Sequence, residues 1–158
     1  MKQKIYIETS VVSYLVARQA RNIVIAAHQA ATIEFWDLLG DYEVFVSDIV
    51  IQESANGDPD QAEKRTQALD SFPVLQLDEQ ARDLARDFID SKVVPDKCPE
   101  DALHIAVAAV NGMDVIVTWN FKHINNPVTR IMVRKIVEKH GWSCPEICSP
   151  EELLGDEV

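Results

Sequence analysis

The chain has 158 residues, of which 47% are hydrophobic and 26% are charged. This size and composition are typical of one globular domain that forms a core without disulfide bonds or a structural metal. No apolar run approaches the roughly 18 residues of a membrane-spanning helix, and the apolar stretch at the N-terminus is too short for a signal peptide. We therefore expect a single cytoplasmic domain over residues 1–158, with no membrane partner.

The net charge of −11 at pH 7 is unfavourable for a nucleic-acid enzyme, because phosphate backbones are bound mainly by lysine and arginine. The basic residues are concentrated, however, since residues 117–143 contain five Lys or Arg and one acid. A bound cation would also reverse the local sign of an acidic cleft. The composition lowers the expectation of RNA as a substrate without removing it.

Short β-rich runs alternate with longer stretches of helical pattern along the chain. The predicted strands are residues 5–7, 44–46, 74–77 and 115–117. Capping residues and first-turn prolines locate the predicted helices. Five have predicted ranges, which are 10–18, 23–39, 48–56, 59–71 and 99 to about 111, with Ser10, Ser47 and Asp58 as the caps of the first, third and fourth. Two more begin at Asp78 and at Pro127. This alternation predicts an α/β fold with a parallel sheet of four to five strands and helices on both faces.

Three acidic residues are predicted to meet at one edge of this sheet. Glu8 follows the first strand directly, Glu53 lies in the helix after the second strand, and Asp101 opens a helix that is apolar nearly all round. The functional edge of a parallel sheet is at the carboxyl ends of its strands. Carboxylates gathered there would repel one another and raise their pKa values, and Mg²⁺, which takes oxygen ligands, would relieve that repulsion. The pattern favours a divalent-metal site.

Ordinary structural interpretations remain open for several of these residues. Most acidic side chains are solvated surface groups, and an acid in a first helical turn is favoured by the helix dipole. His104, one turn after Asp101, is interpreted as a structural histidine, because hard cations prefer oxygen ligands. The three cysteines fit no zinc motif and are interpreted as reduced thiols; they are Cys98, Cys144 and Cys148.

Four segments resemble the motifs of PIN domains and follow the order of that family over about residues 5–124. They are residues 6–12 (YIETSVV), 47–53 (SDIVIQE), 99–106 (PEDALHIA) and 117–123 (VTWNFKH). The resemblance implies a Mg²⁺- or Mn²⁺-dependent ribonuclease like the VapC toxins, which are usually homodimers inhibited by a small antitoxin. It implies that Glu8, Glu53 and Asp101 bind the metal and act in catalysis, that Asn120 takes the fourth catalytic position, and that Thr9 or Ser10 supports the first acid.

The sequence departs from this family at two of the motif positions. Glu8 stands where aspartate is usual, and Asn120 is neutral, so the site carries one negative charge fewer. An alternative therefore stays open, in which the domain is a PIN-like binding or regulatory module with weakened or no catalysis. A receiver or phosphatase is disfavoured, because the first strand ends in glutamate rather than a nucleophilic aspartate. P-loop and dinucleotide enzymes are excluded by the absence of their glycine motifs.

RNA contacts are expected from the basic part of the chain. Arg130 and Arg134 are four residues apart and share a helix face, and Lys122 directly follows the fourth motif. A solvated helix surface is the competing interpretation of the arginine pair. Trp119 is a candidate for stacking on a base, although an aromatic residue at a strand end is more often part of the core.

Overall fold

The structure, a computed structural model, describes residues 1–155. Its centre is a five-stranded sheet in which every neighbouring pair of strands is parallel. The strand order is β3-β2-β1-β4-β5, and the strands are Lys4–Ile7 (β1), Glu43–Ser47 (β2), Val74–Leu75 (β3), Val115–Val117 (β4) and Glu146–Cys148 (β5). The predicted α/β fold with a parallel sheet is confirmed.

Within residues 1–155, seven α-helices connect the strands. They are Thr9–Val16 (α1), Ile23–Trp36 (α2), Asp48–Ser54 (α3), Pro59–Leu69 (α4), Glu79–Asp90 (α5), Pro99–Val110 (α6) and Pro127–Lys139 (α7), with short 3-10 helices at Leu39–Asp41 and Glu151–Leu153. Three helix starts confirm the predicted caps, since Ser47, Asp58 and Asp78 each accept a hydrogen bond from a backbone N–H of the first turn. Short polar side chains thus define where these helices begin.

The predicted start of the first helix is wrong in one detail that affects the site. Ser10 lies inside α1, and the capping residue is Glu8, whose carboxylate accepts a hydrogen bond of 3.1 Å from the backbone N–H of Ser10. A carboxylate is favoured at this position, because the first N–H groups of a helix have no partner within the helix. The residue that ends β1 therefore also caps α1.

Two strand predictions are also corrected. The third strand ends at Leu75, because the next apolar residue, Leu77, donates its N–H to the side chain of Asp48 at 3.2 Å instead of continuing the ladder. The edge strand β5 was not among the predicted runs. Its three residues carry no β-rich pattern, and its place comes from pairing with β4.

The core lies on both faces of the central strands. Residues 5–7 of β1 are fully buried, and α6 is buried nearly all round, as predicted. The buried hydrophobic residues form a cluster that extends from Ile5 to Cys148. That one domain covers residues 1–158 stays a prediction, and residues 156–158 lie outside the described part. No helix between residues 1 and 155 has the length and apolar character needed to cross a bilayer.

Candidate active site

Glu8 lies at the carboxyl edge of the sheet, where the strand order reverses between β1 and β4. Its side chain is only 7% exposed. One carboxylate oxygen, Oε1, accepts hydrogen bonds from the hydroxyls of Ser10 at 2.5 Å and Thr118 at 2.6 Å. Because Thr118 directly follows β4, the two central strands jointly hold this carboxylate at the usual ligand-binding point of a doubly wound sheet.

Glu53 lies near the end of α3 and is held from two sides. Its Oε1 accepts a hydrogen bond of 2.6 Å from the hydroxyl of Thr9 and lies 2.6 Å from Nε2 of His104. The other ring nitrogen of His104 lies 2.6 Å from the hydroxyl of Tyr6, which in turn lies 2.7 Å from Oγ of Ser47. A buried chain of hydrogen bonds thus connects the end of β2 to the Glu53 carboxylate.

The charges of Glu53 and His104 stabilise each other. Burial alone would raise the pKa of Glu53, but the hydrogen bond and charge of His104, with the Thr9 hydrogen bond, hold that pKa below its usual value. Burial would lower the pKa of His104, but the hydrogen bond to Glu53 and the negative charges of Glu8, Glu53 and Asp101 raise it. The expectation that carboxylate repulsion raises the acids' pKa values is therefore wrong for Glu53, because a buried imidazole supplies the opposing charge.

Asp101, in the first turn of α6, is held by the loop after β4. Its Oδ1 accepts a hydrogen bond of 3.1 Å from the amide of Asn120, and its Oδ2 lies 2.8 Å from Nδ1 of His123. The side-chain oxygen of Asn120 accepts the backbone N–H of His123 at 3.0 Å. Asn120 therefore links the acid to the loop, and both ends of its amide are engaged within the protein.

The acidic and histidine side chains form two groups at this edge. In the first, the inner cluster, ligand atoms of Glu8, Glu53 and His104 lie within 4.8 Å of one another. In the second, the outer cluster, ligand atoms of Cys98, Asp101 and His123 also lie within 4.8 Å of one another. Asp101 and His104 are three residues apart on one face of α6, so the clusters adjoin.

The three predicted acids thus lie at one sheet edge, but only two of them share a cluster. The sequence analysis did not foresee that His104 and His123 would pair with Glu53 and Asp101. The sequence contained one signal for these pairings, because each histidine follows a predicted site residue by three positions: His104 follows Asp101, and His123 follows Asn120. The donor chemistry fits a hard divalent cation, because the two carboxylates of the inner cluster adjoin that of Asp101 and each is oriented by neighbouring donors.

The predicted RNA-binding residues lie in different environments. Arg130 donates to Oδ1 of Asn125 at 2.6 Å, and Arg134 contacts Glu146 at 3.0 Å. Lys122 is exposed and forms no ion pair with any residue between 1 and 155. Its ammonium is therefore the most available of the three predicted contacts.

Trp119 is part of the core, which agrees with the second of the two interpretations given above and leaves it unavailable for stacking on a base. It is 5% exposed, stacks on His28 with ring centroids 4.1 Å apart, and donates its indole N–H to Thr32 at 2.8 Å. Phe121, two residues later, is 45% exposed. A base that stacks near Asn120 would meet Phe121 rather than Trp119.

The fold and site define an α/β domain with acidic residues gathered at the carboxyl edge of a doubly wound parallel sheet. The sequence model of the PIN domain family matches residues 5–126, and the chain belongs to this family, whose members are generally nucleases. One chain in the crystal structure of VapBC2 from Rickettsia felis, which is bound to a DNA fragment of the VapBC2 promoter, has the same fold. Its TM-score is 0.58 at 13% identity, over 93% of this chain and 98% of that one. No match was found among curated proteins.

Proposed function

We propose that the protein is a Mg²⁺- or Mn²⁺-dependent ribonuclease and the toxin of a toxin–antitoxin pair. The observation that carries the proposal is the pairing of Glu8 and Glu53 in the inner cluster, with Asp101 in the adjoining outer cluster, at the carboxyl edge of a PIN-family sheet. Membership of a nuclease family and the fold shared with a VapBC2 chain support it.

In this proposal Glu8, Glu53 and Asp101 would hold the cation. A bound divalent cation lowers the pKa of a water and offsets charge that develops on the phosphoryl oxygens during hydrolysis. The residues around the acids keep the carboxylates in place, and Asn120 acts by positioning Asp101. A carboxylate that is already oriented loses less conformational freedom on binding a cation than one that swings freely.

The direct test is cleavage of single-stranded RNA by the purified protein with added Mn²⁺. We expect the RNA to be hydrolysed, and we expect a chelator to stop the reaction and fresh Mn²⁺ to restore it. A matched DNA strand serves as the control for substrate class. Intact RNA at saturating Mn²⁺, with the fold verified by circular dichroism, would contradict the proposal.

A binding or regulatory role without catalysis is the second candidate, and one observation favours it. Each of the three acids already accepts hydrogen bonds from protein donors, and Glu53 is paired with the buried His104. A site that satisfies its own charges binds a cation less tightly than one in which bare carboxylates repel. Measured Mn²⁺ affinity together with RNA cleavage separates the two candidates.

RNA would be bound near the site by Lys122. We expect Lys122→Ala to weaken RNA binding and to lower the slope of log affinity against log salt concentration by about 1, because one phosphate contact is lost. Fluorescence anisotropy at several salt concentrations measures this slope. Lys139→Ala is the matched control: it removes the same charge at the C-terminal end of α7, a helix of 13 residues and about 20 Å, and should leave the slope unchanged. Equal slopes for wild type and Lys122→Ala would remove Lys122 from the interface.

A homodimer and a small antitoxin are the proposed protein partners. Three apolar side chains of α2 are more than half exposed, as are two of α7; they are Ile23, Val24, Ile33, Val128 and Ile131. Contiguous apolar patches on a surface often mark protein–protein contacts, and these two helices are the candidates for such a patch. Light scattering tests the dimer, and a monomeric mass at micromolar concentration would contradict it.

A further inference from the structure

The outer cluster offers three different ligand types for one cation. The thiol of Cys98, the carboxylate of Asp101 and the imidazole of His123 place sulfur, oxygen and nitrogen atoms within 4.8 Å of one another. The Asp101 and His123 side chains are only 16% and 18% exposed. The donors are therefore close together and partly shielded, yet open enough for an ion to enter.

The backbone brings these donors together from two segments of the chain. Cys98 takes the N-cap position of α6, and its carbonyl accepts the N–H of Asp101 at 3.2 Å, so both side chains leave the first turn of the helix. The cysteine side chain makes no capping hydrogen bond. His123 comes from the loop after β4, which Asn120 ties to Asp101. The thiol is thus free to serve as a ligand.

The ligand set selects a borderline-soft cation rather than Mg²⁺. Zn²⁺ binds cysteine sulfur at about 2.3 Å and histidine nitrogen at about 2.0–2.1 Å, so two ligands of a tetrahedral site lie about 3.5 Å apart. Donors within 4.8 Å of one another reach that separation by small side-chain rotations. Mg²⁺ prefers an all-oxygen octahedral shell, which a thiol cannot join favourably.

We propose that Cys98, Asp101 and His123 form a Zn²⁺ site, and that zinc bound there inhibits the enzyme. The second part rests on the proposed function, in which Asp101 serves the catalytic cation. An Asp101 carboxylate engaged by zinc is no longer available to a catalytic cation held by Glu8 and Glu53 in the adjoining inner cluster. The protein would then be active with Mg²⁺ or Mn²⁺ and inactive when zinc occupies the neighbouring site.

Binding is tested with Co²⁺, a spectroscopic substitute for Zn²⁺, on the full chain kept reduced by a phosphine. We expect a thiolate-to-cobalt charge-transfer band in the near ultraviolet that added Zn²⁺ removes. Cys98→Ser should abolish the band, and His123→Gln should weaken Co²⁺ and Zn²⁺ binding by roughly tenfold or more, since even outer partners of a metal site typically contribute that much.

Cys144→Ser is the matched control, because Cys144 is another partly buried free thiol outside both clusters. It should retain the band. Lack of a thiolate band in the wild-type protein, or a band that survives Cys98→Ser, would overturn the zinc site. Neither result depends on catalytic activity, so the test of zinc binding is independent of the proposed function.

Inhibition is tested by adding Zn²⁺ to RNA-cleavage reactions that contain saturating Mn²⁺. We expect zinc to inhibit the wild type at concentrations at least tenfold lower than those that inhibit Cys98→Ser. Equal inhibition of the two proteins would overturn the proposal that zinc at this site inhibits the enzyme, and it would leave the evidence for zinc binding unchanged. If the wild type is inactive with Mn²⁺ alone, both the proposed ribonuclease activity and its inhibition by zinc are contradicted. The Co²⁺ spectra then still test whether Cys98, Asp101 and His123 bind zinc.

Discussion

Replacing Asp101 with asparagine is expected to lower the rate of RNA cleavage by about 100-fold or more, with the fold retained, because cation binding and activation are worth several kcal/mol in such reactions. The substitution removes one negative charge and preserves the shape of the side chain. Glu53→Gln should have a comparable effect, since Glu53 shares the inner cluster with Glu8. Both variants should also bind Mn²⁺ more weakly.

Single-turnover cleavage and calorimetric Mn²⁺ titration measure these two effects separately. Glu100→Gln is the control: Glu100 is the exposed neighbour of Asp101 in α6, and its replacement removes the same charge. Its rate should remain within about threefold of wild type, because a surface substitution of this kind changes free energies by about 0.5 kcal/mol or less. Near-normal cleavage by Asp101→Asn would refute the proposed role of the carboxylate.

Replacing His104 with alanine is expected to lower the free energy of unfolding by about 3 kcal/mol, the magnitude of a core cavity combined with lost buried hydrogen bonds. The imidazole is fully buried and connects Tyr6 to Glu53. Its removal leaves a cavity in the core and deprives two buried or partly buried polar groups of a partner. The remaining hydrogen bonds, one between Tyr6 and Ser47 and one from Thr9 to Glu53, limit the loss.

Urea denaturation in the presence of a chelator measures this change on the metal-free protein. His140→Ala provides the comparison, because His140 also contacts a carboxylate, that of Asp87 at 2.8 Å, but at the surface. That pair should contribute no more than about 1 kcal/mol. If both variants lost less than 1 kcal/mol, the buried network around His104 would not be the stabilising feature that its geometry indicates.

Local features of the sequence determined the fold class and the position of the acids along it. Alternating strand and helix patterns predicted the parallel sheet, and the capping residues Ser47, Asp58 and Asp78 located three helix starts, because caps act within a few residues. Glu8, Glu53 and Asp101 were found because each follows a strand or opens a helix. The strand β5 was missed because its pairing with β4, rather than its own three residues, forms it.

The partners of these acids were decided only by the tertiary structure. Thr118 reaches Glu8 across 110 residues of sequence, and His104 reaches Glu53 across 51. Hydrogen bonds between such distant residues depend on how α3 and α6 pack against the central strands, and no local pattern encodes that packing. For the same reason the sequence predicted repelling carboxylates, whereas the folded chain places a buried histidine between them.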